Sequence, residues 1–105
     1  VLPISLRTLT FGYRYNQKIG VNILPNSLQT LTFGYCYNQI IGVKVLPISL
    51  QTLTFDCMYN QIIGVNVLPE SLKNIVFKYD SNCEWLCKKD IVHSNFHDKI
   101  KHVRD

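Results

Sequence analysis

SLQTLTFGYCYNQIIGV, residues 27–43, returns at residues 49–65 as SLQTLTFDCMYNQIIGV. The copies differ only at one triplet, Gly34-Tyr35-Cys36 against Asp56-Cys57-Met58. Outward from this pair, Leu-Pro stands at 2–3, 24–25, 46–47 and 68–69, a constant spacing of 22 residues. The chain is therefore a tandem array with units 2–23, 24–45, 46–67 and 68–89, the last degenerate. A period in the twenties belongs to solenoids, in which each unit buries its apolar face only by stacking on its neighbours.

The columns of the repeat predict the form of one coil. Leu6, Leu9 and Phe11 recur as Leu28, Leu31 and Phe33, then as Leu50, Leu53 and Phe55. In Thr-Leu-Thr-Phe the apolar residues alternate with β-branched threonines, the period of a short half-buried strand. Leu9 and Phe11 are expected to point inward, and Thr8 and Thr10 outward. The same reading places Thr30, Thr32, Thr52 and Thr54 on that outer face. Ile41 to Val45 and Ile63 to Val67 alternate too, which predicts a second extended segment. Leu-Pro then turns the chain, because proline cannot donate to a sheet ladder. The fold class expected is all-β: a β-rich solenoid with parallel strands and a partly helical C-terminal cap, which the family resemblance given below makes a right-handed, leucine-rich-repeat-like coil.

Asn16, Asn38, Asn60 and Asn82 form a fixed polar column. A buried amide must be hydrogen-bonded, so these residues are expected to form a structural ladder along the stack. The fourth unit keeps register through Asn82, Trp85 and Cys87. Residues 1–89 are thus read as repeats and 90–105 as a cap. Within the cap, Phe96, Ile100 and Val103 have helical spacing.

Composition narrows the function classes. At 47% hydrophobic and 17% charged, the chain has the balance of a folded domain. The net charge is +4, and its basic residues are dispersed through the repeats without a nucleic-acid-binding motif. No apolar run approaches the ~18 residues of a membrane span. Neither nucleic acid nor membrane is expected as a partner, and no cofactor is implied. The four cysteines lack the spacing of secreted disulfide scaffolds, which favours a reducing, intracellular and cytoplasmic setting. Cys83, Cys87, His93, His97 and His102 invite a zinc reading, but the gap from Cys87 to His93 is too short for the familiar finger. No metal site is assigned.

Aligned, the units read LPxSLxxLxFGxxYNQxI, which resembles the FNIP repeat, a relative of the leucine-rich repeats, over residues 2 to about 85. Tyr15, Tyr37 and Tyr59 stand where the family name has phenylalanine. The resemblance implies a leucine-rich-repeat-like solenoid that binds proteins. Several family members carry an F-box before the repeats. By resemblance, this chain would be the substrate-recognition arm of a ubiquitin ligase receptor, with ligase components engaged through a region upstream. Val1 occupies the column of Ile23, Val45 and Val67, so the chain is read as the C-terminal part of a longer protein.

Repetition opposes catalysis, which requires one unique constellation of groups, and no enzyme activity is expected. The changing triplet offers a different role. It reads Gly12-Tyr13-Arg14, Gly34-Tyr35-Cys36, Asp56-Cys57-Met58 and Lys78-Tyr79-Asp80 from unit to unit. Positions just past a rigid strand are where recognition tends to reside, and tyrosine and arginine are favoured anchors. The expected partner surface therefore comprises the threonine face and the rim residues Tyr13, Arg14, Tyr35, Asp56 and Lys78. Two rival readings use the same residues: a spacer whose repeats merely set length, and an ice-binding array of Thr-x-Thr rows.

Overall fold

A computed structural model describes residues 5–21, 23–56, 58–64, 66–79 and 94–104. Five strands form a single parallel sheet in chain order: β1 (Thr8–Thr10), β2 (Thr30–Thr32), β3 (Thr52–Phe55), β4 (Asn74–Tyr79) and β5 (Ile100–Arg104). Thr8 pairs with Thr30 and Thr30 with Thr52, so the sheet register is the sequence period itself. The coils are joined by repeated bonds. The Arg7 carbonyl accepts from the Gln29 and Thr30 amides at 2.8 and 3.0 Å, and the Gln29 carbonyl accepts from Gln51 and Thr52 at 2.8 and 3.1 Å.

Strand length follows the residue after each phenylalanine. Glycine weakens a strand, and β1 and β2, each closed by Phe-Gly, span three residues. Asp56 follows Phe55 in β3, which spans four, and Lys78-Tyr79 extends β4 to six. Beneath the sheet, Leu28, Leu31, Phe33, Leu50, Leu53, Phe55, Leu72, Ile75 and Phe77 are fully buried. Each such side chain contributes about 1.5–3 kcal/mol through burial. Two aromatic columns run along the stack. Phe11, Phe33, Phe55 and Phe77 follow one another at 5.4, 5.3 and 5.5 Å, while Tyr15, Tyr37 and Tyr59 follow at 6.1 Å.

The structure departs from the sequence expectations at four places. Ile41–Val45 is not a strand, and neither are the described residues 63, 64, 66 and 67. Lys44 and Asn66 adopt φ of 65° and 68°, and the Val67 amide donates to the Gly64 carbonyl. The apparent alternation arises because Ile41 and Val45 dip into the core on either side of a turn that exposes Val43. The helical spacing of Phe96, Ile100 and Val103 is also overridden. A 3₁₀ helix, Ser94–Lys99, leads into β5, which pairs with β4 from Ile75↔Ile100 to Tyr79↔Arg104. The edge of β4 offers a row of backbone partners that a helix could not satisfy. Phe96 and Ile100 pack on the core, whereas Val103 is exposed.

The third departure is one of degree, in the first coil: Leu9 and Phe11 pack against the core as expected but are only half-buried. The fourth is Thr54, expected on the outer face but 7% exposed. It sits between Thr32 and Val76, with strands on both sides.

Candidate functional site

In the first three units a tight turn follows the strand at the changing triplet. The Tyr15 amide donates to the Gly12 carbonyl at 3.1 Å, and the same bond joins Tyr37 to Gly34 and Tyr59 to Asp56, both at 3.2 Å. Beyond the turn Tyr37 and Tyr59 are buried and Tyr15 half-buried, while in the first unit Tyr13 points outward. Tyr13 is 62% exposed, and its ring stacks on that of Tyr35 at 5.0 Å with planes 3° apart. Exposed Arg14 adjoins the pair, and the Cys36 amide ties the two coils together at the Tyr13 carbonyl, 3.0 Å away. Asp56 and Lys78 are half-buried further along the rim, each engaged in interactions of its own.

Exposure of the threonine face falls along the sheet. Thr8 and Thr10 are exposed, Thr30, Thr32 and Thr52 half-buried, and Thr54 buried. The exposure of the Thr-x-Thr rows is therefore not uniform. The face and the rim are contiguous through Thr10-Phe11-Gly12-Tyr13. From residue 1 to residue 55 the chain carries Arg7, Arg14, Lys18 and Lys44 and no carboxylate side chain.

The asparagine column is a ladder, though not a buried one. Asn16 Oδ1 accepts from the Asn38 amide at 2.9 Å, and Asn38 Oδ1 accepts from the Asn60 amide at 3.1 Å. Gln39 Nε2 adds bonds to Asn16 O and Oδ1 at 3.2 and 3.1 Å, so the Asn-Gln pair works as a unit. Asn16 and Asn60 are exposed and Asn38 half-buried. Asn82 lies outside the described residues.

Two structural columns escape a reading based on burial and alternation. The hydroxyls of Ser27, Ser49 and Ser71 donate to Leu6 O, Leu28 O and Leu50 O of the preceding coils, at 2.6, 2.6 and 2.7 Å. The invariance of serine in the Ser-Leu pair, at Ser5, Ser27, Ser49 and Ser71, was the available signal. Gly34 is the other. A Cβ added there would run into the Gly12 carbonyl oxygen and come within 2.8 Å of its carbon. The first position of the changing triplet is thus constrained at the second coil.

Two phenols of the buried tyrosine column are held protonated well above neutral pH. Burial, with the neighbouring Tyr15 as the smaller cause, pushes the Tyr37 phenol up from 10.0 to about 12. Burial, then Tyr37, pushes Tyr59 the same way. Among the described residues no three His, Cys, Asp or Glu side chains are grouped to hold a metal. Of the zinc candidates, Cys83, Cys87 and His93 lie outside the described residues. His102 lies 6.0 Å from Phe77, extending the aromatic column. Cys36 is a half-buried free thiol. No helix of the described residues is long and apolar enough to cross a membrane.

Comparison with known proteins adds two findings. A family model described as the FNIP repeat matches residues 1–36 and 37–80. Among solved structures, the chain is similar to CroV588, described as a novel circular LRR protein structure, with 39% identity and a TM-score of 0.76. That match covers 99% of this chain and 14% of the CroV588 chain. No curated protein matches.

Proposed function

Because the chain belongs to the FNIP repeat family, we propose that its threonine face and tyrosine rim form a protein-binding surface without enzymatic activity. The observation that carries this reading is the exposed Tyr13 stacked on Tyr35 beside Arg14. Holding two aromatic rings in register costs little entropy when the coils beneath are already locked, and such pre-ordered rings are effective anchors. The partner is a protein, neither nucleic acid nor lipid, met in a reducing cytoplasmic setting.

The test is capture with a crosslinker, comparing wild type with Tyr13→Ala and with the Thr30→Lys/Thr52→Lys double variant. Both variants are expected to keep the fold, since the altered groups lie on the outer face. Loss of the same crosslinked proteins in both supports the surface. An unchanged set in both removes it and leaves a spacer that sets length.

A finer reading makes this surface the substrate-recognition arm of an F-box-type ubiquitin ligase receptor, with ligase components held by a region outside this chain. It rests on the family resemblance. Intact mass and N-terminal peptide sequencing of the native protein test it, and further repeats in place of an F-box would dismiss it.

A further inference from the structure

Arg7, Gln29, Gln51 and Lys73 stand at the same place in successive coils, one residue before each of the first four strands. Their backbones are bonded in series. The Gln29 amide donates to the Arg7 carbonyl, the Gln51 amide to the Gln29 carbonyl and the Lys73 amide to the Gln51 carbonyl, each at 2.8 Å. The column is thereby held at the spacing of a parallel sheet, about 4.8 Å per coil, which sets Arg7 and Lys73 about 14 Å apart.

These side chains reach water. Arg7, Gln51 and Lys73 are exposed and Gln29 is half-buried. Gln51 and Lys73 keep this exposure with a strand on either side, so it does not come from standing at an end of the stack. Among the described residues no hydrogen bond or ion pair engages any of the four side chains. The carboxylate of Glu70, exposed three residues before Lys73, makes no ion pair with it. Alongside runs the row Thr8, Thr30, Thr52 and Asn74, paired in register.

The column thus offers a cation at each end and two carboxamides between them. Guanidinium and ammonium groups take carboxylates, and a carboxamide bonds a peptide group through both its N–H and its C=O. An extended chain advances about 3.3 Å per residue and turns alternate side chains to one face. Four residues of it therefore span about 13 Å, with i, i+2 and i+4 on the same side. Carboxylates at i and i+4 would meet Arg7 and Lys73 while the backbone between them passes the glutamines.

We propose that this column binds an extended acidic peptide segment whose two carboxylates stand four residues apart, laid along the stack and across the strands. The inference rests on the reading of the sheet face as a protein-binding surface and gives the partner its chemistry. A separation of three would turn the two carboxylates to opposite faces, and a separation of two would leave one cation unmatched. A nucleic-acid strand fits less well, because it is charged along its whole length and the middle of the column is neutral.

The test follows the side-chain amides of Gln29 and Gln51 by NMR in the isotope-labelled full chain while a synthetic peptide with the core Asp-Thr-Ser-Thr-Asp is added. Both amides are expected to shift. Kd should be about threefold weaker for the core Asn-Thr-Ser-Thr-Asn and for the shortened core Asp-Thr-Thr-Asp. The double variant Arg7→Gln/Lys73→Gln should keep its Tm and bind the Asp and Asn cores alike. Unshifted glutamine amides would overturn the proposal. Equal binding of the shortened core would do so too, since charge without spacing would then be read, as would displacement of the peptide by an equal concentration of oligothymidylate. If Tyr13→Ala still loses its crosslinked proteins while the glutamine amides do not move, this inference fails and the protein-binding surface stands. If neither responds, both fail.

Discussion

The tract Thr-Leu-Thr-Phe occupies Thr8–Phe11 in the first coil and Thr52–Phe55 in the third, and the two copies have different surroundings. Leu9 and Phe11 are half-buried where Leu53 and Phe55 are fully buried, and Thr10 is exposed where Thr54 is 7% exposed. Among the described residues the third coil has a strand on each side and the first has one, and the exposure of identical residues follows that difference. In a solenoid, burial belongs to the stack, and stability is the sum of unit terms and interface terms. The sheet's two ends differ in the same way: β5 covers β4, anchored by Lys99 Nζ donating to the Leu72 carbonyl at 2.9 Å.

The sharpest way to break this comparison is to cut the same leucine from both coils. Leu53→Ala should cost about 3–4 kcal/mol in chemical denaturation, the range for a fully buried leucine. Leu9→Ala should cost well under half of that, because its site is already partly open to water. Equal costs would show that the first coil is as closed as the third.

The glycine pair is next. Gly34→Ala should destabilise by about 1–3 kcal/mol, since the added methyl meets backbone that cannot move aside. Gly12→Ala should be close to neutral in the same thermal melts.

Serine extends the comparison to polar groups. Ser49→Ala leaves the Leu28 carbonyl without its 2.6 Å donor and should cost about 0.5–1.5 kcal/mol. Ser5→Ala, at an exposed position, should be nearly silent.

A smaller gain is expected at Lys44, which holds φ of 65° in the column that carries Asn66 at 68°. Lys44→Asn should stabilise by about 0.5–1 kcal/mol, because asparagine tolerates the left-handed region better than lysine. A lower Tm in Lys44→Asn would mean that the lysine makes a compensating contact.

Alkaline titration compares the buried tyrosine with an ordinary phenol. Tyr37 ionises near 10.0 when unfolded and near 12 when folded. Between those values the unfolded chain releases the proton and the folded chain retains it. The folded state therefore binds more protons, and stability falls as pH rises. Its contribution is fully present below pH 10. Tyr37→Phe should flatten this fall, and at neutral pH it should be tolerated. The Tyr37 hydroxyl is buried with no hydrogen-bond partner among the described residues, so its removal strands no partner there. Unfolding midpoints measured from pH 9 to 12 check the slope.

How far the sequence could be read follows from which interactions repeat. The strand positions, the parallel register and the core columns were legible because each core residue must fit two neighbouring coils, so packing writes itself into every unit. The asparagine ladder was legible as a column, but its exposure was not. Fixed spacing shows that Asn16 and Asn38 interact along the stack, not how much water reaches them. The turn at Lys44 and Asn66 was misread as strand because two inward residues flanking a turn produce the same alternation as a strand. In the candidate surface, the outward direction of Tyr13 was legible, and its stacking on Tyr35 required coordinates.

By itself, the sequence determined the period, the family resemblance and the identity of the residues that fill the core, since a 22-residue repeat permits only one register of stacking. The tertiary structure alone decided the rest. It decided that residues after the last described repeat strand form a fifth strand rather than a helix, because a sheet edge must be satisfied. It also decided that Thr54 is buried and that Gly34 cannot carry a side chain. Each of these depends on what lies one coil away, and that neighbour is 22 residues distant in the sequence and in direct contact in the fold.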